Sequence, residues 1–381
     1  MPQLKMQVVL KAEAPIAVLR TRASSQFVKT LDYLPGSAVR GAFAEIFINK
    51  RGTEDPDFKH IFVEENIWFS DFLPNYADES PLVLPLSAMA CKRYGLSHTQ
   101  SVQDRLIHEI TGAPRSESSK RCPECGEPLD RVSGYLSDLK TRKNVKIGRQ
   151  LRMHVGISGT TGSAMHGLLF SYEMLTEKET PAGGEVTDMK FIGTLESDSG
   201  EVLEALQKVI PSREHLSVGK ARTRGLGELS IQYHEKLKSA NSFLERWDNF
   251  NAGVVKHGGD PQQCYFSIIL DSHLALKDRL GRPVLGDIQA AHLGLEESAQ
   301  VEICAAFLAP VVVPGWNAAQ GLPKPDTHAL SRGSVLTFCA PETLKKSLRQ
   351  QVMELEKQGL GERRAEGFGK LSVCHPFHLN I

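Results

Sequence analysis

Twice in this 381-residue chain an apolar helical stripe runs into a loop of interleaved glycine and charged residues and then into a strand. The first loop is Gly219-Lys220-Ala221-Arg222-Thr223-Arg224-Gly225-Leu226-Gly227, and the second is Gly361-Glu362-Arg363-Arg364-Ala365-Glu366-Gly367-Phe368-Gly369. A related phrase, Leu34-Pro35-Gly36-Ser37-Ala38-Val39-Arg40-Gly41-Ala42, stands near the N-terminus. Glycine tolerates positive φ and lets backbone N–H groups come close to a ligand. Arginine and lysine bring the charge that phosphates want. One such loop alone is a tight helix-to-strand connection with surface charge. Two at equivalent positions point to two copies of one fold, and to a phosphate-rich polymer as ligand. Neither loop is a nucleotide fingerprint: there is no GxxxxGK[ST], and Gly225-Leu226-Gly227 lacks a third glycine in place.

The rest of the chain fits a doubled unit. Residues 5–19 are rich in Val, Leu, Ile and Ala and read as a strand broken at Pro15. Residues 38–50 read as a helix with Val39, Phe43, Ile46 and Phe47 on one face. Strand character follows at 63–72, 165–175 and 189–195. A helix at 200–210 carries the stripe Val202, Leu203, Leu206 and Val209, and a strand at 227–233 closes the unit. Residues 74–152 are irregular and read as an insertion. Residues 241–262, with Gly258-Gly259-Asp260-Pro261, read as a linker. Strands at 264–270, 301–313 and 335–339, a helix at 341–358 and a strand at 371–374 then repeat the ending of the first half. The expected class is α+β: two ferredoxin-like (RRM-like) domains in tandem, at 1–240 and 263–381, the first enlarged by the insertion.

The formal net charge is zero, so a nucleic-acid site must be a local concentration of charge. One lies at 140–152, where Lys140, Arg142, Lys143, Lys146, Arg149 and Arg152 occur with no acidic residue between them. Taken alone, such a run is usually a solvated surface. Beside it, Gly159-Thr160-Thr161-Gly162 spells the GXXG phosphate clamp, without the helices that flank a true one. His154 and His166 flank this loop and are the candidates for general acid–base work, though a histidine in a strand or loop more often serves packing.

Seven cysteines in a chain of this size do not make a disulfide framework. Cys264, Cys304, Cys339 and Cys374 lie in apolar, strand-like surroundings and read as buried thiols. Cys122-Pro123-Glu124-Cys125-Gly126 is half of a zinc knuckle, with Cys91 as the natural third ligand. The fourth is His98 or His108, with His98 preferred. Structural zinc here would staple an insertion that has little core of its own. No apolar run is long enough to span a bilayer, and Met1-Pro2-Gln3-Leu4-Lys5 lacks the layout of a signal peptide. A cytoplasmic protein with no membrane partner is expected.

The phrase at 34–41 resembles the IPGSxLRG phrase of the CRISPR-associated RAMP superfamily, and the two glycine loops resemble its glycine-rich loops. Cys91-Lys92, then Cys122-Pro123-x-Cys125-Gly126, a basic stretch and the run from His154 to Leu169 resemble the stand-alone RAMP subunit of type III-D effector complexes. A departure is Gln100, where members often carry a histidine. The resemblance implies a non-catalytic subunit that binds guide RNA at its repeat-derived 5′ handle. Its partners would be the large polymerase-like subunit and the RAMP backbone subunits. It makes Arg40, Lys220, Arg222, Arg224, Arg363 and Arg364 RNA contacts together with the 140–162 segment. The alternative is a metal-independent endoribonuclease of the same superfamily that processes guide RNA or cuts target RNA.

Overall fold

A computed structural model describes residues 4–19, 27–78, 80–114, 116–179, 186–234, 242–296, 298–317 and 320–379. The chain is a mixed α+β protein that divides into two compact units. The first gathers Met1–Ser80, Lys146–Leu237 and Val313–Thr327; the second gathers Pro81–Val145, Lys238–Val312 and His328–Ile381.

The first unit contains β1 (Leu4–Ala12), α1 (Gly36–Arg51), β2 (Trp68–Phe69), β3 (Leu73–Asn75), β4 (Arg149–Ile157), β5 (Ala164–Leu175), β6 (Lys190–Ser197), α2 (Gly200–Val209), β7 (His215–Ser217) and β8 (Glu228–His234). Its main sheet runs β7-β8-β1-β6-β2, with β3 also on β6, so the strand that closes the unit lies beside the one that opens it. β1 is central and its residues 6–10 are all buried, which is why it reads as a continuous apolar run. Val39, Phe43 and Phe47 of α1 and the full stripe of α2 pack with Val8, Leu10, Phe191, Leu229 and Ile231. Each large side chain so buried contributes about 1.5–3 kcal/mol. The single strand expected at 63–72 is instead a helical turn, Lys59–Val63, followed by β2 and β3. Its apolar residues serve an aromatic cluster: Phe62 lies 5.9 Å from Phe47 and 5.2 Å from Phe58, ring centre to ring centre.

The second unit contains α3 (Phe243–Lys256), β9 (Gln263–Leu270), β10 (Glu302–Phe307), β13 (Val335–Pro341), α4 (Lys345–Gln358) and β14 (Leu371–Val373), while the hairpin strands β11 (Pro310–Asn317) and β12 (Leu322–Leu330) begin and end in it but lie mostly within the 313–327 segment of the first unit. The sheet order is β10-β13-β9-β14, and again the closing strand lies beside the opening one. The expected strand at 301–313 splits into β10 and β11 ahead of Pro310. The linker expected at 241–262 is mostly α3. Ser242 and Glu245 form a capping box at its start, and Trp247, Phe250 and Val254 form its buried stripe. Arg246 of α3 donates to both carboxylate oxygens of Glu356 at 2.6 Å and to the Val373 carbonyl at 3.2 Å, fastening the helix to α4 and β14.

Residues 81–145 interrupt the first unit in sequence yet fold with the second, because their apolar side chains find their partners there. Leu106 and Ile107 join the core of Trp247 and Phe250. Leu84, Ala88, Ala90, Val102 and Leu136 close on Phe377. The Leu86 N–H donates to the Gly333 carbonyl at 2.7 Å. Asp104 accepts from the Leu106 N–H at 3.0 Å and meets His378 Nδ1 at 2.5 Å, with both side chains wholly buried. Removing one member of such a pair strands the other without water. Asp104→Ala is therefore expected to cost about 3–5 kcal/mol, seen as a lowered midpoint in denaturant; a midpoint shift under a fifth of that would rule out this fastening.

Candidate nucleic-acid interface and metal site

The two glycine loops are built by the same backbone device. Each anchors its first glycine where a Cβ would strike a carbonyl oxygen: 2.3 Å from Ala17 for Gly219 and 2.4 Å from Ala275 for Gly361. The next N–H then bonds that same carbonyl, Lys220 to Ala17 at 2.8 Å and Glu362 to Ala275 at 2.9 Å. Ala221 and Arg363 both take the left-handed conformation, at φ 59°. A short 3-10 turn follows, at Arg222–Arg224 in one and Arg364–Glu366 in the other. The last glycine donates its N–H to a carbonyl at the start of the unit, Gly227 to Pro15 and Gly369 to His273, each at 2.8 Å. Leu226 and Phe368 are the buried plugs between the last two glycines.

The other expected contact residues are dispersed. Arg40 on α1 is four-fifths buried; its guanidinium donates to the Phe62 carbonyl and lies 3.6 Å from Glu65. The basic stretch divides between the units. Lys140, Arg142 and Lys143 belong to the second, where Arg142 donates to the Val102 carbonyl at 3.1 Å. Lys146, Arg149 and Arg152 belong to the first, where Arg149 lies 3.0 Å from Glu173. Asp138 accepts from the N–H groups of Lys140 and Thr141 at 2.7 Å. These bonds, led by that of the Thr141 hydroxyl, hold its carboxyl below the usual range.

Residues 149–157, placed by sequence partly in the insertion and partly in a loop, are strand β4, paired antiparallel with β5. The GXXG stretch is the turn of this hairpin. Ser158 Oγ accepts from the Thr160 and Thr161 N–H groups at 3.3 Å, and both threonines are exposed. One face carries Leu151, Met153, Val155 and Leu169, all exposed, with Met153 at 69%, and Ile157, beyond a shift in the strand register, is exposed as well. On the other face His154 stacks on Phe170 at 5.3 Å and Tyr172 leans on both. The period-2 spacing of Leu151, Met153, Val155 and Ile157 was the legible signal for this face. Among the described residues, neither the His154 nor the His166 side chain has a hydrogen bond or ion pair.

The metal-ligand expectation converges in space. One donor atom from each of Cys91, His98, Cys122 and Cys125 lies within 4.8 Å of every other. Cys91 and Cys125 sulfurs are 3.5 Å apart, and His98 Nδ1 is 3.2 Å from Cys122 Sγ. Zn–S bonds of about 2.3 Å in a tetrahedron put sulfurs about 3.8 Å apart, so the donor set fits a structural metal ion in type, number and spacing. Gly95 and Gly126 take positive φ in the turns after Cys91 and Cys122, and their N–H groups donate to the Cys91 and Cys122 carbonyls at 2.7 and 2.8 Å. His98 is held from behind by Tyr94, stacked at 4.4 Å. The Ser101 hydroxyl accepts from the Cys91 N–H at 2.9 Å and donates to the His98 carbonyl at 2.6 Å. His108, the other candidate, lies instead beside His257.

The family described as RAMPs, the RAMP superfamily, matches residues 22–230. That is more than half of the chain, and the chain belongs to this superfamily. Among solved structures, a chain of the type III-B Cmr-beta complex bound to cognate target RNA and AMPPnP is similar. The match covers 92% of this chain and 93% of that one, at 13% identity and a TM-score of 0.48. A chain of the Csm3-Csm4 subcomplex of the type III-A CRISPR-Cas interference complex is similar over 87% of this chain and 92% of its own, at 12% identity and a TM-score of 0.35. The search of curated proteins found no match. Among the described residues no helix is long and apolar enough to cross a membrane.

Proposed function

We propose that the protein is a non-catalytic RNA-binding subunit of a type III CRISPR antiviral effector, of the type III-D stand-alone kind. It holds the guide RNA, at its repeat-derived 5′ handle, and seats the large polymerase-like subunit and RAMP backbone subunits. The observation that carries this reading is the exposed loop 219–227, whose glycines fix the backbone while Lys220 and Arg224 reach solvent. Single-stranded RNA is gripped by such local charge on a chain of zero net charge. The strand order of both sheets supports reading each unit as ferredoxin-like. The exposed apolar face of the β4–β5 hairpin supports a protein seat, since lone soluble chains seldom leave such a face bare. The Cys91, His98, Cys122 and Cys125 group is read as a structural zinc site, closed by four protein ligands and so without a position for substrate. No residue is given a chemical step; His154 belongs to a ring stack.

The test is to purify the native complex, sequence its RNA and count subunits by native mass spectrometry. Guide RNAs sharing one 5′ handle, with one copy of this chain, are expected. A lone chain that trims repeat RNA, and loses that activity in a His154→Ala, His166→Ala double variant, would replace this reading with the endoribonuclease.

A further inference from the structure

The two glycine loops share a backbone but differ in what their side chains have left to offer. Aligned glycine for glycine, Gly219 with Gly361, Gly225 with Gly367 and Gly227 with Gly369, the cations Lys220 and Arg224 of the first fall on Glu362 and Glu366 of the second. The first loop thus carries three positive charges (Lys220, Arg222, Arg224). In the second, Glu362 and Glu366 cancel Arg363 and Arg364.

The surroundings match this difference. Among the described residues, Arg222 is the one cation of the first loop that is engaged, with Glu45 of α1. Among the described residues Lys220 and Arg224 have no side-chain hydrogen bond or ion pair, and both are exposed, as is Gly225. In the second loop each charge is used internally. Glu362 lies 2.8 Å from Lys277. Arg363 lies 2.5 Å from Glu366 and stacks over the Phe368 ring at 4.5 Å. Arg364 donates to the Gln358 carbonyl at 3.0 Å. Ala365, Gly367 and Phe368 are buried.

Resting on the RNA-binding reading above, we infer that the loop at 219–227 alone grips the phosphate backbone of a single-stranded RNA, through Lys220 and Arg224, and that the loop at 361–369 fastens its own unit and takes no RNA. A phosphate reaching the second loop would have to displace the Glu366 carboxylate from Arg363 and the Gln358 carbonyl from Arg364, beside the like charge of Glu362, whereas the first loop offers two cations already bare.

The experiment is binding of the full chain to fluorescein-labelled oligouridine, by anisotropy across a salt series. A backbone contact is indifferent to base, and each released counterion on a single strand contributes about 0.7 to the slope of log K against log salt. Lys220→Gln with Arg224→Gln is expected to weaken binding roughly tenfold and to lower the slope by about 1.4, with an unchanged melting temperature. Arg364→Gln is expected to leave affinity and slope at the wild-type values. Arg363→Gln is expected to lower the melting temperature while its folded fraction binds as wild type does. The inference is overturned if Arg364→Gln lowers the slope, or if wild type binds and the Lys220, Arg224 pair changes nothing. Failure of wild type to bind either oligouridine or guide RNA would overturn the RNA-subunit reading itself.

Discussion

Gly227→Ala and Gly369→Ala are expected to lower the melting temperature by roughly 10 °C, while Gly225→Ala lowers it by a few degrees only. All three positions have positive φ, at 78°, 73° and 74° respectively, and the left-handed conformation alone costs an alanine about 1 kcal/mol. The difference lies in space. A Cβ on Gly227 would stand 2.0 Å from the Val218 oxygen and one on Gly369 would stand 1.8 Å from the Leu360 oxygen, whereas one on Gly225 meets nothing within 4 Å. Relief requires parting the bonds from Val218 N–H to the Gly227 carbonyl and from Leu360 N–H to the Gly369 carbonyl, both 2.9 Å. A buried hydrogen bond broken in this way adds about 1–3 kcal/mol. Scanning fluorimetry of the three variants decides the matter: equal shifts at Gly225 and Gly227 would show that conformation, and not the close carbonyl, is what these glycines serve.

Metal loss is expected to have the larger effect. Structural zinc sites supply about 10–16 kcal/mol of apparent binding energy at neutral pH, and that energy is folding energy for the segment that carries the ligands. Elemental analysis is expected to find one zinc per chain in wild type and none in the Cys122→Ser, Cys125→Ser variant or in wild type treated with a strong chelator. Brief proteolysis is then expected to cut within 91–131. Because residues 81–145 share cores with Trp247, Phe250 and Phe377, cleavage of the second unit should follow, while the first keeps its resistance. A double variant with unchanged metal content and an unchanged digestion pattern would remove zinc from this account.

Period and punctuation made much of the regular structure legible. The stripes of α2 and α4, the strands β1, β8, β9 and β14, and the loops that precede the closing strands are where the sequence places them. The Cys/His group that could hold a metal was legible because a CxxC with one upstream cysteine leaves few partners, and space brings His98, not His108, to the three cysteines. Three things were not legible, for physical reasons. Helix α3 buries a stripe of Trp247, Phe250 and Val254 so sparse that polar neighbours and the Gly258-Gly259 tail mask it. Strand β4 sets apolar Leu151, Met153, Val155 and Ile157 between non-apolar residues, while Arg149 and Arg152 continue the basic run before it, so local charge masks the period of a strand. The allegiance of residues 81–145 depends on contacts such as Asp104 with His378, which no local pattern encodes. Likewise the charges of Arg363 and Arg364 read as ligand contacts until Glu366 and the Gln358 carbonyl are seen to take them up.

The second unit is assembled from stretches that leave the ribosome far apart in time. Residues 81–145 emerge before the strands β9, β13 and β14 exist, and their aliphatic side chains then have nothing to rest on. The four-ligand cluster spans only 91–125 and needs no later residue to close. An ion taken up there would tie off the stretch from 91 to 125 with about 250 residues still to be made, leaving Leu106 and Ile107 to wait for Trp247 and Phe250, and Leu84 and Leu136 for Phe377, to cover them.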